Sequence, residues 1–207
     1  AKMGTDRVFN PSDDEYIPDW MLWLGIAAFA LAASCGLWLA KEGGWPIVVY
    51  TLLGGAAAIW YVGPPFRWVY RGLGELSIGL SYGPWMTLGS VHLHTHAFSW
   101  GALAASLVPG LLIMALAVVN NIPDYHQDRL VGKRNLVVRL GRRRGVGLYL
   151  GLAAAGLLSA VLGAAAKVFP WTALLAAAAG APFLALSARS AWETFDTPRL
   201  FIPAVRN

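Results

Sequence analysis

An all-α, polytopic transmembrane helical bundle is the fold this sequence predicts, on three observations. Hydrophobic side chains make up 57% of the 207 residues and charged ones only 13%, whereas soluble domains carry roughly a quarter charged residues. The apolar residues gather into about six runs of the length a helix needs to cross a hydrocarbon core, about 20 residues each. The polar segments between those runs share their cations unequally, as membrane topology demands. The same composition excludes a disordered chain, and the single cysteine, Cys35, excludes a module held by an internal disulfide. No soluble domain interrupts the series and no internal repeat stands out, so 1–207 reads as one membrane domain.

The spans fall in order at Trp20–Leu39, Trp45–Tyr61, Leu76–Leu93, Phe98–Val119, Val146–Val168 and Trp171–Ala188. The third carries Gly79, Gly83, Pro84 and Gly89, which a buried helix tolerates when its neighbours re-satisfy the backbone groups that proline frees. The last two are rich in Ala and Gly, small residues that let helix backbones approach where lipid gives no hydrophobic drive to associate. Trp20, Trp23, Trp45, Trp60, Trp68 and Trp171 sit near span ends, where interfacial anchoring accounts for them without a ligand.

The connecting segments alternate between two faces. One holds 1–19, 62–75, 120–145 and 189–207, and the other holds the short turns near 40–44, 94–97 and 167–170. Of the 16 Lys and Arg residues, 14 lie on the first face, leaving Lys41 and Lys167 on the second. The first face is therefore expected to be cytoplasmic. The net charge of +5 follows from this topology and does not argue for nucleic acid. Residue 1 is Ala, and Ala1–Asp19 has five acidic residues without the n-region and h-region of a signal peptide. Phe201–Asn207 stops after a polar stretch, so the chain reads as an interior fragment.

The strongest chemical signal is the segment Asn120–Gly141 on the first face. Asp124 and Asp128 are four apart, so on a helix they project from one face, where like charges cost a few tenths of a kcal/mol. A divalent cation reverses that penalty. Magnesium prefers oxygen ligands and joins one or two carboxylates to substrate phosphates, which suits this pair followed by Lys133, Arg134 and Arg139. Spacing alone is equally consistent with a solvated loop whose aspartates balance nearby arginines. A second cluster, Tyr61–Glu75, places Arg67, Tyr70, Arg71 and Glu75 beside flexible glycines. It suits a loop that closes over an anion, with Arg giving bidentate phosphate contacts, and equally a positive loop that holds topology.

Tyr70-Arg-Gly-Leu-Gly-Glu75 and Asn120–Gly141 resemble the YRGLGE loop and the second aspartate-rich motif of the UbiA superfamily of intramembrane aromatic prenyltransferases. The nearest branch is that of the menaquinone pathway, the 1,4-dihydroxy-2-naphthoate polyprenyltransferases. The resemblance covers essentially the whole chain. It implies a nine-helix fold of which about six spans are visible, the first two helices and the last being absent. Ala1–Asp6 then resembles the tail of the family's first aspartate-rich motif, without its leading Asn and carboxylates. Asn135 stands where the branch often has Thr, and Pro123 precedes the first Asp.

What the resemblance implies is Mg2+-dependent transfer of a polyprenyl group from a polyprenyl diphosphate to a dihydroxynaphthoate-like aromatic acceptor, in a multi-pass protein of the bacterial inner membrane. Asp6, Asp124 and Asp128 are then expected to bind metal. Lys133, Arg134, Arg67 and Arg71 are expected on the diphosphate, with Tyr70, Glu75, Asn120 and Asn121 beside the substrates. The alternative is a non-catalytic membrane subunit on the same scaffold. It would bind a quinone, pigment or lipid, or pack in a larger complex, with a partner chain supplying the missing helices. A transporter is disfavoured because no charged residue lies mid-span.

Other features read more plainly. His92, His94 and His96 would align for zinc only in an extended stretch and are expected in a polar interfacial turn. His126 is expected to face solvent. Cys35 reads as a small packing residue, and Arg142–Arg144 as a cytoplasmic anchor.

Overall fold

Long apolar runs free of internal charge have one low-energy conformation in lipid, the helix, because it satisfies every backbone N–H and C=O within the segment. The computed structural model describes residues 19–196, and among them it is built of helices. Five are long and apolar enough to cross a membrane: α1 (Asp19–Gly43), α2 (Trp45–Val62), α5 (Trp100–Asn120), α8 (Arg142–Ala165) and α9 (Ala173–Thr194). The protein is an integral, multi-pass membrane protein.

The third expected span is helical but divided. It consists of α3 (Gly74–Leu80), a π-helical turn at Ser81–Trp85 and α4 (Met86–Thr95). Pro84 lies inside that turn, and the Met86 amide reaches back five residues to the Ser81 carbonyl. A proline has no N–H for the i−4 bond and its ring crowds the preceding turn, so the ladder widens there. The passage therefore continues instead of stopping at the proline.

Several boundaries shift toward the polar ends. α8 begins at Arg142, four residues before the expected Val146, and α9 runs on to Thr194 past Ala188. Long cationic side chains permit this, because their stems follow the helix while their heads remain in the polar zone. The expected turn at 94–97 starts later, since α4 runs to Thr95 and His96 closes it in a left-handed conformation. In a helix, alternate histidines diverge. His92 and His96 meet edge to face, and the His92 Nε2 lies 3.2 Å from the Gly43 carbonyl, tying the ends of α4 and α1.

α5 is the central helix, packed against α8, α3, the π turn and α4. Its closest approach is at glycine. A Cβ on Gly83 would come within 2.8 Å of the Gly110 Cα and the Ser106 carbonyl, so the backbones touch there. α8 packs on α9, and α1 on α2 through Gly36, which faces Thr51. Apart from Gly36, Gly43 and the half-buried Leu39 and Ala40, α1 is exposed, Cys35 included; the expectation that Cys35 is a small packing residue is thus corrected, because the packing face of α1 is the one that carries Gly36. The best-buried cluster, Val118, Val119, Ile122, Val137, Val146 and Ala191, lies at the end of the bundle from which 120–141 emerges. That segment therefore rests on a firm base.

Candidate functional site

Two segments that the sequence separates by more than 40 residues meet at this end of the bundle. The first leaves α2 and makes a short 3-10 turn at Trp68–Arg71 before entering α3. Arg67 and Gly72 flank the turn, both with positive φ. Gly72 is required there: besides its φ of 71°, a Cβ would meet the Arg139 side chain at 2.5 Å. The second segment leaves α5 and forms two short helices, α6 (Tyr125–Leu130) and α7 (Leu136–Leu140).

Asp124 precedes α6 and Asp128 lies in its first turn, where the Asp128 amide donates to the Asp124 carbonyl at 2.8 Å. The environments of the two side chains differ. Asp124 is exposed, and Asp128 is 5% exposed. The Asp128 carboxylate is held from both sides: Lys133 Nζ lies 2.9 Å from Oδ1, and Asn135 Nδ2 donates to Oδ2 at 2.6 Å. Asn135 is fully buried and does two jobs, since its Oδ1 also accepts the Val138 amide at 2.8 Å and caps α7.

Glu75, in the first turn of α3, is 1% exposed. Its Oε1 accepts from Asn121 Nδ2 at 3.0 Å and from the Leu136 amide at 2.9 Å. A second tie lies alongside. Arg139 donates from Nη2 to the Arg71 carbonyl at 2.6 Å and from Nε to the Arg134 carbonyl at 2.9 Å. The Arg67 guanidinium stacks 5.0 Å over the Tyr70 ring, and Arg71 donates to the Pro65 carbonyl at 3.2 Å. Arg67, Arg71 and Arg134 are exposed, with no carboxylate paired to them among the described residues.

Partial loss of water around the carboxyl, and then the neighbouring Asp128, push Asp124 above its ordinary carboxylate value, against the pull of Lys133. The Lys133 ammonium is pushed up chiefly by its hydrogen bond to Asp128. Two hard-oxygen donors one helical turn apart, one exposed and both mutually repelling, fit a magnesium ion that keeps several waters and shares substrate phosphates. Three-carboxylate or histidine clusters are absent among the described residues, so this pair would hold it at most in part. Asp6 lies outside the described residues.

Next to this polar end, a cavity of about 660 Å3 opens between α2, α3 with its π turn, and α5. Gly54, Ala57, Ile113 and Leu116 make its apolar walls, with Tyr61, Ser77, Tyr82 and Asn120 as polar points. Asn120 thus belongs to the cavity, whereas the adjacent Asn121 turns to Glu75. Asn135, and the bond of Arg139 to Arg71, complete the constellation without having been announced by the sequence. An Asn before Leu-Val-Val is a legible helix cap, but the bonds to Asp128 and Arg71 leave no local mark.

Residues 18–200 match the UbiA prenyltransferase family. The chain is 34% identical over 193 residues to the 1,4-dihydroxy-2-naphthoate octaprenyltransferase of Mycobacterium tuberculosis, covering 92% of this chain and 63% of that protein. It is 31% identical over 154 residues to the 2-carboxy-1,4-naphthoquinone phytyltransferase of Synechocystis, covering 71% and 48%. The 1,4-dihydroxy-2-naphthoate octaprenyltransferase of Haemophilus influenzae is 31% identical over 156 residues, covering 74% and 51%. The chain therefore spans between about half and under two thirds of the length of these relatives. No solved structure matches it.

Proposed function

Given that the chain belongs to the UbiA prenyltransferase family, we propose that it transfers a polyprenyl group from a polyprenyl diphosphate to a dihydroxynaphthoate-like acceptor, with magnesium, at the cytoplasmic end of a bacterial inner-membrane protein. The observation that carries this reading is the cavity: a mostly apolar chamber of about 660 Å3 ends at Asn120, one residue from the contacts that organise the aspartate motif. Apolar walls hold an isoprenoid tail and exclude water from an allylic cation. The carboxylates and cations at the polar end hold the charged head.

In the proposed reaction the C–O bond of the allylic diphosphate breaks and the ring carbon that bears the acceptor's carboxylate forms the new C–C bond, so that loss of carbon dioxide restores the aromatic ring. Diphosphate leaves, and the acceptor carboxyl departs as carbon dioxide. When bound, magnesium supplies positive charge that stabilises the leaving diphosphate. Lys133, paired with Asp128 at 2.9 Å, is in this reading a further cation for the diphosphate, and the exposed guanidinium groups of Arg67, Arg71 and Arg134 add bidentate donors. Tyr61 and Tyr82 line the cavity, and aromatic rings there suit a transient carbocation. Asp124 and Asp128 are the protein's own metal donors in this reading.

The test is prenyl transfer in membranes containing the full-length protein, with a polyprenyl diphosphate, dihydroxynaphthoate and magnesium. Prenylated naphthol is expected from the wild type, and Asp128→Ala is expected to lower turnover at least about a hundredfold with insertion intact. Absence of product from the wild type, or an unaffected Asp128→Ala, overturns the assignment.

A further inference from the structure

We propose that Glu75 is a positioning residue that sets the Asp128 carboxylate from outside the substrate's reach; the inference rests on the prenyl-transfer reading above. A glutamate in a substrate loop is ordinarily read as a substrate contact. Its placement here fits a brace instead. The side chain is 1% exposed, and it does not line the cavity. Its Oε1 is committed to Asn121 Nδ2 and the Leu136 amide, while Oε2 is buried without a partner among the described residues. Oε1 is thus engaged within the protein and Oε2 is closed off from solvent.

What Glu75 does hold is the start of α7 and the end of α5. Leu136 is the first residue of α7, and the residue before it, Asn135, carries the amide that donates to Asp128. A carboxylate accepting a backbone amide and a side-chain amide in a buried site is a strong, directional brace. Once Leu136 is fixed, Asn135 has little freedom, and Asp128 is aimed by a 2.6 Å bond. The Arg139 bond to the Arg71 carbonyl holds the same two segments together four residues earlier in the first of them. Partners that orient a metal's carboxylate ligand are worth about 10–100-fold in affinity.

The experiment is Mn2+ binding in the presence of inorganic diphosphate, read by electron paramagnetic resonance on the full-length protein in detergent. Asp128→Asn is the reference for the metal site. Glu75→Leu and Glu75→Asp, which remove or withdraw the acceptor from Leu136, are expected to weaken Mn2+ at least about tenfold. Glu75→Gln retains an oxygen in the Oε1 place and is expected within about threefold of wild type, with the KM for the aromatic acceptor unchanged. If Glu75→Leu does not fold, Glu75→Asp carries the comparison. Wild-type Mn2+ binding in both, beside loss in Asp128→Asn, overturns the positioning role alone. A Glu75→Gln defect as large as that of Glu75→Leu also overturns it, because charge and not the acceptor would then matter. If Asp128→Asn binds as wild type, the metal site itself is misplaced and this inference falls with it.

Discussion

Asn135 joins two scales of structure with one side chain, capping α7 through Oδ1 and holding Asp128 through Nδ2. Threonine in its place keeps a cap oxygen but lacks the amide donor. Asn135→Thr is therefore predicted to cost about 1–3 kcal/mol through the Asp128 oxygen left unpaired, and Asn135→Val, which loses the cap as well, about 1 kcal/mol more. Thermal unfolding in detergent checks the pair, and equal losses would deny the cap. Asp124 gives a pH prediction. Its carboxyl is raised by partial loss of water and by Asp128, so its ionisation is harder in the folded than in the unfolded protein. Stability is unaffected below the unfolded value and falls as pH rises through the raised one. A divalent cation opposes that fall, so its stabilising shift in Tm is predicted to be larger at neutral pH than in the acid range where Asp124 is protonated. A pH-independent shift would remove Asp124 from the cation site.

Between elements, the tightest constraint is the contact of α5 with the divided third passage. A methyl on Gly83 meets backbone at 2.8 Å, and backbone cannot turn aside as a side chain does, while a methyl on Gly25 of α1 meets nothing within 4 Å. Gly83→Ala is predicted to cost about 1–3 kcal/mol and Gly25→Ala to be neutral or slightly stabilising. Comparing the two melting temperatures checks this, and it separates a packing glycine from an incidental one. The sequence does not show which of the two glycines meets backbone. Five of the six expected spans and the helix type were legible because hydropathy is a local property of each run, and Gly83 with Pro84 marked the third as unusual. The π turn was not legible, since it depends on how α5 accommodates the break. The same division holds at the site: Asp124, Asp128 and the cations announce themselves by spacing, but the Glu75 contacts span 46 and 61 residues. No single-chain pattern encodes those pairings.

At the scale of the whole molecule, the cavity is what relates the polar end to the membrane. On α2 its lining runs from Gly54 to Tyr61 and on α5 from Ile113 to Asn120, seven residues of rise on each helix, or about 10 Å. The chamber thus reaches about 10 Å from the polar end toward the interior of the bundle. An extended isoprenoid of several units is longer than that, so in the proposed reaction the distal part of a long donor must pass the Gly54 end. A Cβ on Gly54 meets no atom within 4 Å, which makes this the place to block the passage without disturbing the packing. Gly54→Trp is predicted to lower turnover at least about tenfold for a long polyprenyl diphosphate while changing that for geranyl diphosphate less than about threefold. Product analysis with the two donors in parallel measures the ratio. Equal losses would mean that the ring has disturbed the polar end or the fold. Equal retention would place the tail elsewhere, against α1 or outside the described residues, and the cavity would then serve the aromatic acceptor alone.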